Sequence, residues 1–469
     1  QFLGRDSNKR TDKYGGSAEN RFRFVENIIN KVRAKCGEDF AILVKPSLFS
    51  GTGITIDDGK YYVKRMIELG VDGIEVMAGA GNKGMPNDDD LPFTASRPMA
   101  MAPLAKMYRE YARSIFGEDL KTQFIAGGDI RTADVIENAF ANDICDFVFI
   151  GKSCVVEPHF VRLLQEGRDR EIHPCIGCYV CASDQLATGA HCYCSGNGAM
   201  ACESHFDLPP AEKVKKVVVV GGGPSGIEAA KVLKRRGHKP VIFEKTDRLG
   251  GLFITASSMS FKENDKQLIE WYKKEIARNG IEVRFNTEIN DIRTLGGFDE
   301  IIVATGSVPR TMPIPGFNKC MTLTELLREK KPVGDKVVIF GGGQSGCEAA
   351  LELVLEGKHP IVVEYAVDLI ATPAVPLPNA SYLREALVFH KVPIYLESTI
   401  TKIGDKSVTI KGKDGTVTEV EYDNVVNAIG FLPTPVAKKG KNVHLVGDCI
   451  AIGNLRTVIW RAWDVCMKI

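Results

Sequence analysis

The chain has 469 residues, 44% hydrophobic and 25% charged, and its 60 basic residues balance 59 acidic ones for a formal net charge of +1. Nothing in that balance suggests a nucleic-acid or membrane-surface partner. No apolar run reaches the ~18 residues of a spanning helix, and the opening QFLGRDSNKRTDKYGG lacks the pattern of a secretory signal. A cytoplasmic protein is expected, in which most of the thirteen cysteines stay unpaired and a cluster of them binds metal or does redox chemistry.

The first predicted strand is FAILVKPS (residues 40–47), followed by a helix over 57–69. GIEVMAG then leads to a helix over 103–116, TQFIAGGD to one over 132–141, and DFVFIGK to one over 158–166. Short apolar runs alternating with amphipathic helices predict parallel strands joined by right-handed crossovers. Two architectures fit: the C-terminal half of a (β/α)8 TIM barrel, or a small doubly wound sheet. A half barrel leaves two unpaired strand edges, so further residues are then expected before Gln1. The last two strands end on glycines, in AGGD (126–129) and IGKS (150–153). Backbone N–H groups there can hold a phosphate, and Lys152 adds a positive charge. The same glycines serve equally well as tight βα turns.

The segments QFLGRDSNKRTDKYGGSAENRFRF and GGDIRTADVIENAFANDICDFVFIGKSCVVEPHF resemble the old yellow enzyme family. The resemblance implies that Gly128, Gly151 and Lys152 hold the phosphate of FMN, and that Lys45 sits beside the flavin. A cation there stabilises the negative charge of reduced flavin. The family ordinarily has arginine at both lysine positions, and lysine keeps the charge but loses the two-pronged fork. The family's substrate-polarising and proton-donating side chains would lie mostly before Gln1. A histidine found after the sixth strand in some members is absent from MAGAGNKGMP, so no proton donor is assigned in this chain.

Residues 173–194, HPCIGCYVCASDQLATGAHCYC, hold five cysteines, and Cys202 follows. Cys175, Cys178 and Cys181 are spaced C-x2-C-x2-C, the start of a ferredoxin-type run. A zinc site more often uses two separated pairs, or a pair with histidines such as His173 or His191. The fourth ligand is Cys192 or Cys194 by spacing. CIGCYVC followed by CSGN resembles the 4Fe-4S segment of the trimethylamine dehydrogenase branch, which implies Cys194 and leaves Cys192 and Cys202 as spare thiols. Of the remaining cysteines, such as Cys36, Cys145 and Cys347, most are expected to be buried small hydrophobes.

KKVVVVGGGPSGIEAAKVLKRRGHKPVIFEK follows. Gly221, Gly223 and Gly226 form G-x-G-x-x-G between a strand and a helix, with Glu244 placed 18 residues beyond Gly226. The glycines let a pyrophosphate approach the helix N-terminus, and the acid can bind ribose hydroxyls. RLGG adds Gly251. A second copy, KVVIFGGGQSGCEAALELVLEGKHPIVVEY, carries Gly341, Gly343 and Gly346, again 18 residues before an acid, Glu364. This is an internal duplication. Glu364 accepts from a 2′-hydroxyl and repels a 2′-phosphate, which favours NADH over NADPH. IIVATGSVPR, VVNAIGFLP and a late VHLVGDC with Asp448 resemble the disulfide-reductase-like flavoproteins, in which the second nucleotide fold is inserted in the first. The resemblance implies FAD on the first fold, contacted by Asp448, and NADH on the second. GKDGTVTEVEY is expected to form a hairpin around Asp414-Gly415. Trp271, Trp460 and Trp463 are expected to serve packing, and PLPNAS and TPAVP to be loops.

The expected organisation is an FMN-binding partial barrel over 1–172, a cluster segment over 173–212, the FAD fold over 213–318 and 433–469, and the NADH fold over 319–432. This order resembles the 2,4-dienoyl-CoA reductase, 2-enoate reductase and trimethylamine dehydrogenase family over essentially the whole chain. It implies electrons passing from NADH through FAD, 4Fe-4S cluster and FMN to an electron-poor C=C of a small-molecule enoate, enoyl thioester or enone. The alternative is an amine dehydrogenase or N-demethylase that feeds a carrier protein. A catalytically silent electron-transfer subunit is the third reading. A homo-oligomer is compatible with each.

Overall fold

A computed structural model describes residues 2–51, 53–78, 99–182, 189, 192–205, 208–372 and 375–469. They fall into two compact units: the described parts of 1–154 with 159–170, and Val155–Pro158 with Glu171–Ile469.

In the first unit, strands Leu43–Val44, Gly73–Glu75, Gln123–Gly127 and Phe147–Phe149 lie side by side in chain order, every pair parallel. A doubly wound sheet reverses strand order at a switch point. This order has no reversal, so the strands follow the barrel arrangement. The outer strands carry Leu43 and Phe147, both exposed, as unpaired edges would. The predicted first strand is divided, because Pro46 has no N–H to donate to a ladder: Ser47–Phe49 leaves the main sheet and pairs with Met77–Ala78.

Helices Ile56–Glu68, Ala102–Phe116 and Ala133–Ala141 lie within a residue of expectation at each end, while the fourth is shorter, Phe160–Gln165. Thr55 and Asp58 cap the first of these reciprocally, and Asp58 also binds Arg21 at 2.8 Å. Tyr62, Met66, Ile74, Tyr108 and Phe124 fill the core beneath the sheet.

The second unit contains two five-stranded parallel sheets that share the same order in four of their five strands. The first runs Val443–Leu445, Glu300–Val303, Lys216–Val220, Lys239–Phe243, Glu282–Arg284; the second runs Met321–Thr322, Asn424–Asn427, Lys336–Phe340, His359–Val363, Ile394–Tyr395. Their central strands, KVVVV and KVVIF, are apolar without alternation because both faces are covered. The chain leaves the first sheet, builds the second, and returns through Val443–Leu445, which pairs in parallel with Glu300–Val303. Strands Ser307–Pro309 and Phe431–Pro433 mark the outward and return paths and pair antiparallel. The expected hairpin is present: Ser407–Gly412 and Val417–Glu421 turn at Gly415, whose φ of +89° suits glycine.

The last helix, Leu455–Cys466, packs on Pro224–Arg235, and Trp463 donates its indole N–H to buried Glu228 at 2.7 Å. Trp463→Phe leaves that carboxylate oxygen without its donor. The expected cost is about 1–3 kcal/mol, read as a lower urea midpoint at unchanged m-value. Among the described residues no helix is long and apolar enough to cross a membrane.

Candidate functional site

The first glycine loop is built so that each glycine has its own reason. Gly221 has φ of +113°, and a Cβ there would lie 2.4 Å from the Ala304 carbonyl oxygen. A Cβ on Gly226 would lie 1.9 Å from the Gly221 carbonyl oxygen, so helix and strand could not close on each other. Around Gly223 the nearest atom is Cα of Gly251 at 3.9 Å, which leaves the face toward a ligand open. Glu244 is buried. Its Oε2 accepts from the Gly222 N–H at 2.7 Å, and Oε1 accepts from the N–H and Oγ1 of Thr246, each at 2.8 Å. The acid therefore orients the loop.

The second loop repeats the first. Gly341 has φ of +114°, a Cβ on Gly346 would lie 2.0 Å from the Gly341 carbonyl oxygen, and a Cβ on Gly343 meets nothing within 4 Å. Glu364 accepts from Gly342 N–H at 2.5 Å and Ala366 N–H at 2.7 Å. Two of its roughly four lone-pair sites remain for ribose hydroxyls. Glu364→Ala should narrow the preference for NADH over NADPH by about tenfold, the equivalent of about 1.4 kcal/mol. The ratio of the two kcat/KM values measures it, and a general loss of binding cancels from that ratio.

Gly447, at φ of +72°, admits no Cβ, since one would lie 2.3 Å from Ser225 Oγ in the first turn of Pro224–Arg235. Asp448 is thus delivered beside the first glycine loop, and its Oδ1 accepts from Gly453 N–H at 3.0 Å. Burial pushes its carboxyl above the usual range, against the opposing pull of Gly453 and Arg461. These open, side-chain-free cradles with an acid at each ribose position fit two dinucleotides.

The cysteine segment turns tightly. Gly177 (φ +68°) and Tyr179 (φ +60°) are left-handed, one inside each C-x2-C spacing. Burial, then the neighbouring Cys178 and Cys175, push the Cys194 thiol well up. Cys192 is pushed up by burial alone, and its Sγ points to the Cys181 carbonyl at 3.4 Å. Cys194, not Cys192, therefore shares its surroundings with the first two cysteines. Like charges so placed cannot all ionise unless a cation joins them, which suits a thiolate-ligated cluster.

Among the described residues no three His, Cys, Asp or Glu side chains converge on one metal ion. A cubane takes one thiolate at each iron, so its ligands need not do so. Trp460 donates to the Cys194 carbonyl at 2.8 Å and Asn379 to the Cys178 carbonyl at 3.1 Å, so both nucleotide folds brace the segment. His173 is buried and stacked flat on Trp271, with centroids 4.1 Å apart; His191 lies outside the described residues. Cys145 and Cys347 are buried as expected, whereas Cys36 is exposed at the end of the Ala18–Cys36 helix.

In the first unit, Gly128 is left-handed (φ +102°) and a Cβ on Gly151 meets nothing within 4 Å. Lys152 Nζ lies 2.9 Å from Asp129 Oδ1, and Arg131 binds the same carboxylate. Burial pushes Asp129 up, but Arg131 and Lys152 outweigh it and hold the carboxyl below its usual range. Lys45 Nζ pairs with Glu75 at 2.5 Å and lies 4.9 Å from the Phe149 ring centroid. An open glycine beside paired cations fits a phosphate group. Most of MAGAGNKGMP lies outside the described residues, as does part of TPAVP.

Sequence reasoning missed three features. Arg131 is buried and paired with Asp129. Lys262 reaches Glu348 at 2.7 Å, and Gln344 donates to the same oxygen at 2.9 Å, which links the second glycine loop to the FAD-side loop. Ser260 binds Glu352 alongside through its N–H and Oγ. The available signal was a cation or acid inside an otherwise apolar element, as in GCEAALEL.

The NADH:flavin oxidoreductase / NADH oxidase family matches residues 1–171, and the pyridine nucleotide-disulphide oxidoreductase family matches 186–298 and 296–457. A cinnamate reductase from Clostridium sporogenes is 30% identical, covering 100% of this chain and 72% of the relative. An NADH oxidase from Thermoanaerobacter brockii is also 30% identical, covering 100% and 73%. The solved structure of a 2-naphthoyl-CoA reductase bound to 2-naphthoyl-CoA superposes with a TM-score of 0.89 at 27% identity, over 100% of this chain and 71% of that one.

Proposed function

Because this chain belongs to the 2,4-dienoyl-CoA reductase / 2-enoate reductase family of NADH:flavin oxidoreductases, we propose that it is an NADH-dependent ene reductase working on an α,β-unsaturated acid, thioester or ketone in a reducing compartment. When bound, NADH, FAD, a 4Fe-4S cluster and FMN supply the transfer of two electrons, singly through the cluster, to an electron-poor C=C. The chain's own residues bind and orient. Gly223 and Gly343 leave room for the two pyrophosphates, and Glu244 and Glu364 receive ribose hydroxyls. Asp448 lies beside the first glycine loop, where the FAD ribityl chain would run. Cys175, Cys178, Cys181 and Cys194 ligate the cluster. Lys45 presents a positive charge, tempered by Glu75, to the flavin, while Gly128 and Gly151 leave room for its phosphate and Lys152, paired with Asp129, adds positive charge nearby.

The observation that favours this reading over amine oxidation is the intact second loop, with Glu364 held ready for a ribose. An enzyme that only discharges electrons to a carrier has no need of a nicotinamide donor. The test is anaerobic NADH oxidation with a cinnamate-type acid or an enone as acceptor, run beside amine-dependent dye reduction. Acceptor-dependent NADH loss with saturated product is expected. Dye reduction by amines, with no turnover of any unsaturated acceptor, would contradict it.

A further inference from the structure

Arg131 is 7% exposed. One of its terminal nitrogens binds Asp129, while Nε and Nη1 are buried and have no hydrogen-bond partner among the described residues. Buried guanidinium donors left unmade are costly, and such a group calls for a ligand. The local charge points the same way. Two cations, Arg131 and Lys152, share the single carboxylate of Asp129. Two cationic side chains so close together make this a place that suits an anion. Next to it Gly151 is bare and open. Lys152 cannot fill the missing role: it is a point charge already directed at Asp129, and it lacks the planar array of donors that matches phosphate oxygens.

Resting on the FMN reading above, we propose that Arg131 is the residue that grips the phosphate of the flavin mononucleotide, and that Lys152 chiefly neutralises Asp129. The family's usual arginine is thereby replaced in function by one from the preceding loop. Arg131 Nε and Nη1 donate to phosphate oxygens, and Asp129 fixes the orientation of the guanidinium from behind.

The experiment compares FMN with riboflavin, which lacks the phosphate, by fluorescence titration of full-length protein stripped of FMN. Wild type should prefer FMN by about a hundredfold. Arg131→Met should bring FMN affinity to within a few-fold of riboflavin, leaving riboflavin affinity and FAD content unchanged. Lys152→Met should keep most of the preference. Should Arg131→Met not fold, Arg131→Lys serves instead, with an expected tenfold loss of the preference. An unchanged FMN-to-riboflavin ratio in the arginine variants, or its abolition by Lys152→Met alone, would overturn the assignment. A wild-type protein that binds both flavins equally would instead overturn the FMN reading itself and the inference with it.

Discussion

Cys194→Ser is expected to yield protein in which iron and acid-labile sulfide fall from about four per chain to background, while Cys192→Ser keeps both. Loss of a partner outside the ligand set already costs about 10–100-fold in metal affinity, and loss of a ligand costs more. The two cysteines are two residues apart but differently placed: Cys194 is half-buried beside Cys178 and Cys175, and Cys192 addresses a backbone carbonyl. In Cys194→Ser, NADH should still reduce FAD, because the glycine loops are untouched. Reduction of the unsaturated acceptor should fall by at least about a hundredfold, since its electrons must pass the missing cluster. Equal iron in both variants would refute the ligand assignment.

Gly343→Ala and Gly346→Ala should both impair NADH use, for different reasons. At Gly343 a methyl group meets no protein atom, so folding is unaffected and the overlap falls on the incoming pyrophosphate. An overlap of about 2–3 kcal/mol weakens NADH about a hundredfold, seen as a raised KM at unchanged melting temperature. At Gly346 the methyl group sits 2.0 Å from the Gly341 carbonyl oxygen, so the NADH fold itself is destabilised and the melting temperature falls. FAD content should survive in both, because the first sheet is separate in its hydrogen bonding. A normal KM for NADH in Gly343→Ala would show that the nicotinamide cofactor does not bind over this loop.

Much of this was legible because it is local. A glycine triplet between an apolar strand and a helix, repeated with the same spacing to an acid, states its geometry in thirty residues of sequence. The three cysteines within seven residues do the same. Parallel strands followed from alternating apolar runs, which left a half barrel and a doubly wound sheet both open, and Pro46 broke the first strand where composition alone suggested continuity. What the sequence hid is non-local. Lys152 read as a free cation, yet it faces Asp129, and the unpartnered donors belong to Arg131, which looked like an ordinary loop residue. Likewise Glu244 and Glu364 read only as ribose ligands. Their bonds to the N–H groups of Gly222 and Gly342 span 22 positions and depend on the strand pairing that brings them together.

The central claim is that one cluster held by four cysteines connects a nicotinamide-fed flavin to a second flavin. Anaerobic titration of the purified holoprotein with NADH, following flavin absorbance together with the cluster's paramagnetic signal, tests it most directly. Bleaching of two flavins with appearance of a reduced-cluster signal at matching iron and sulfide content is the predicted result. A protein free of iron and sulfide, or one in which NADH reduces both flavins as fast after Cys194→Ser as before, would contradict it.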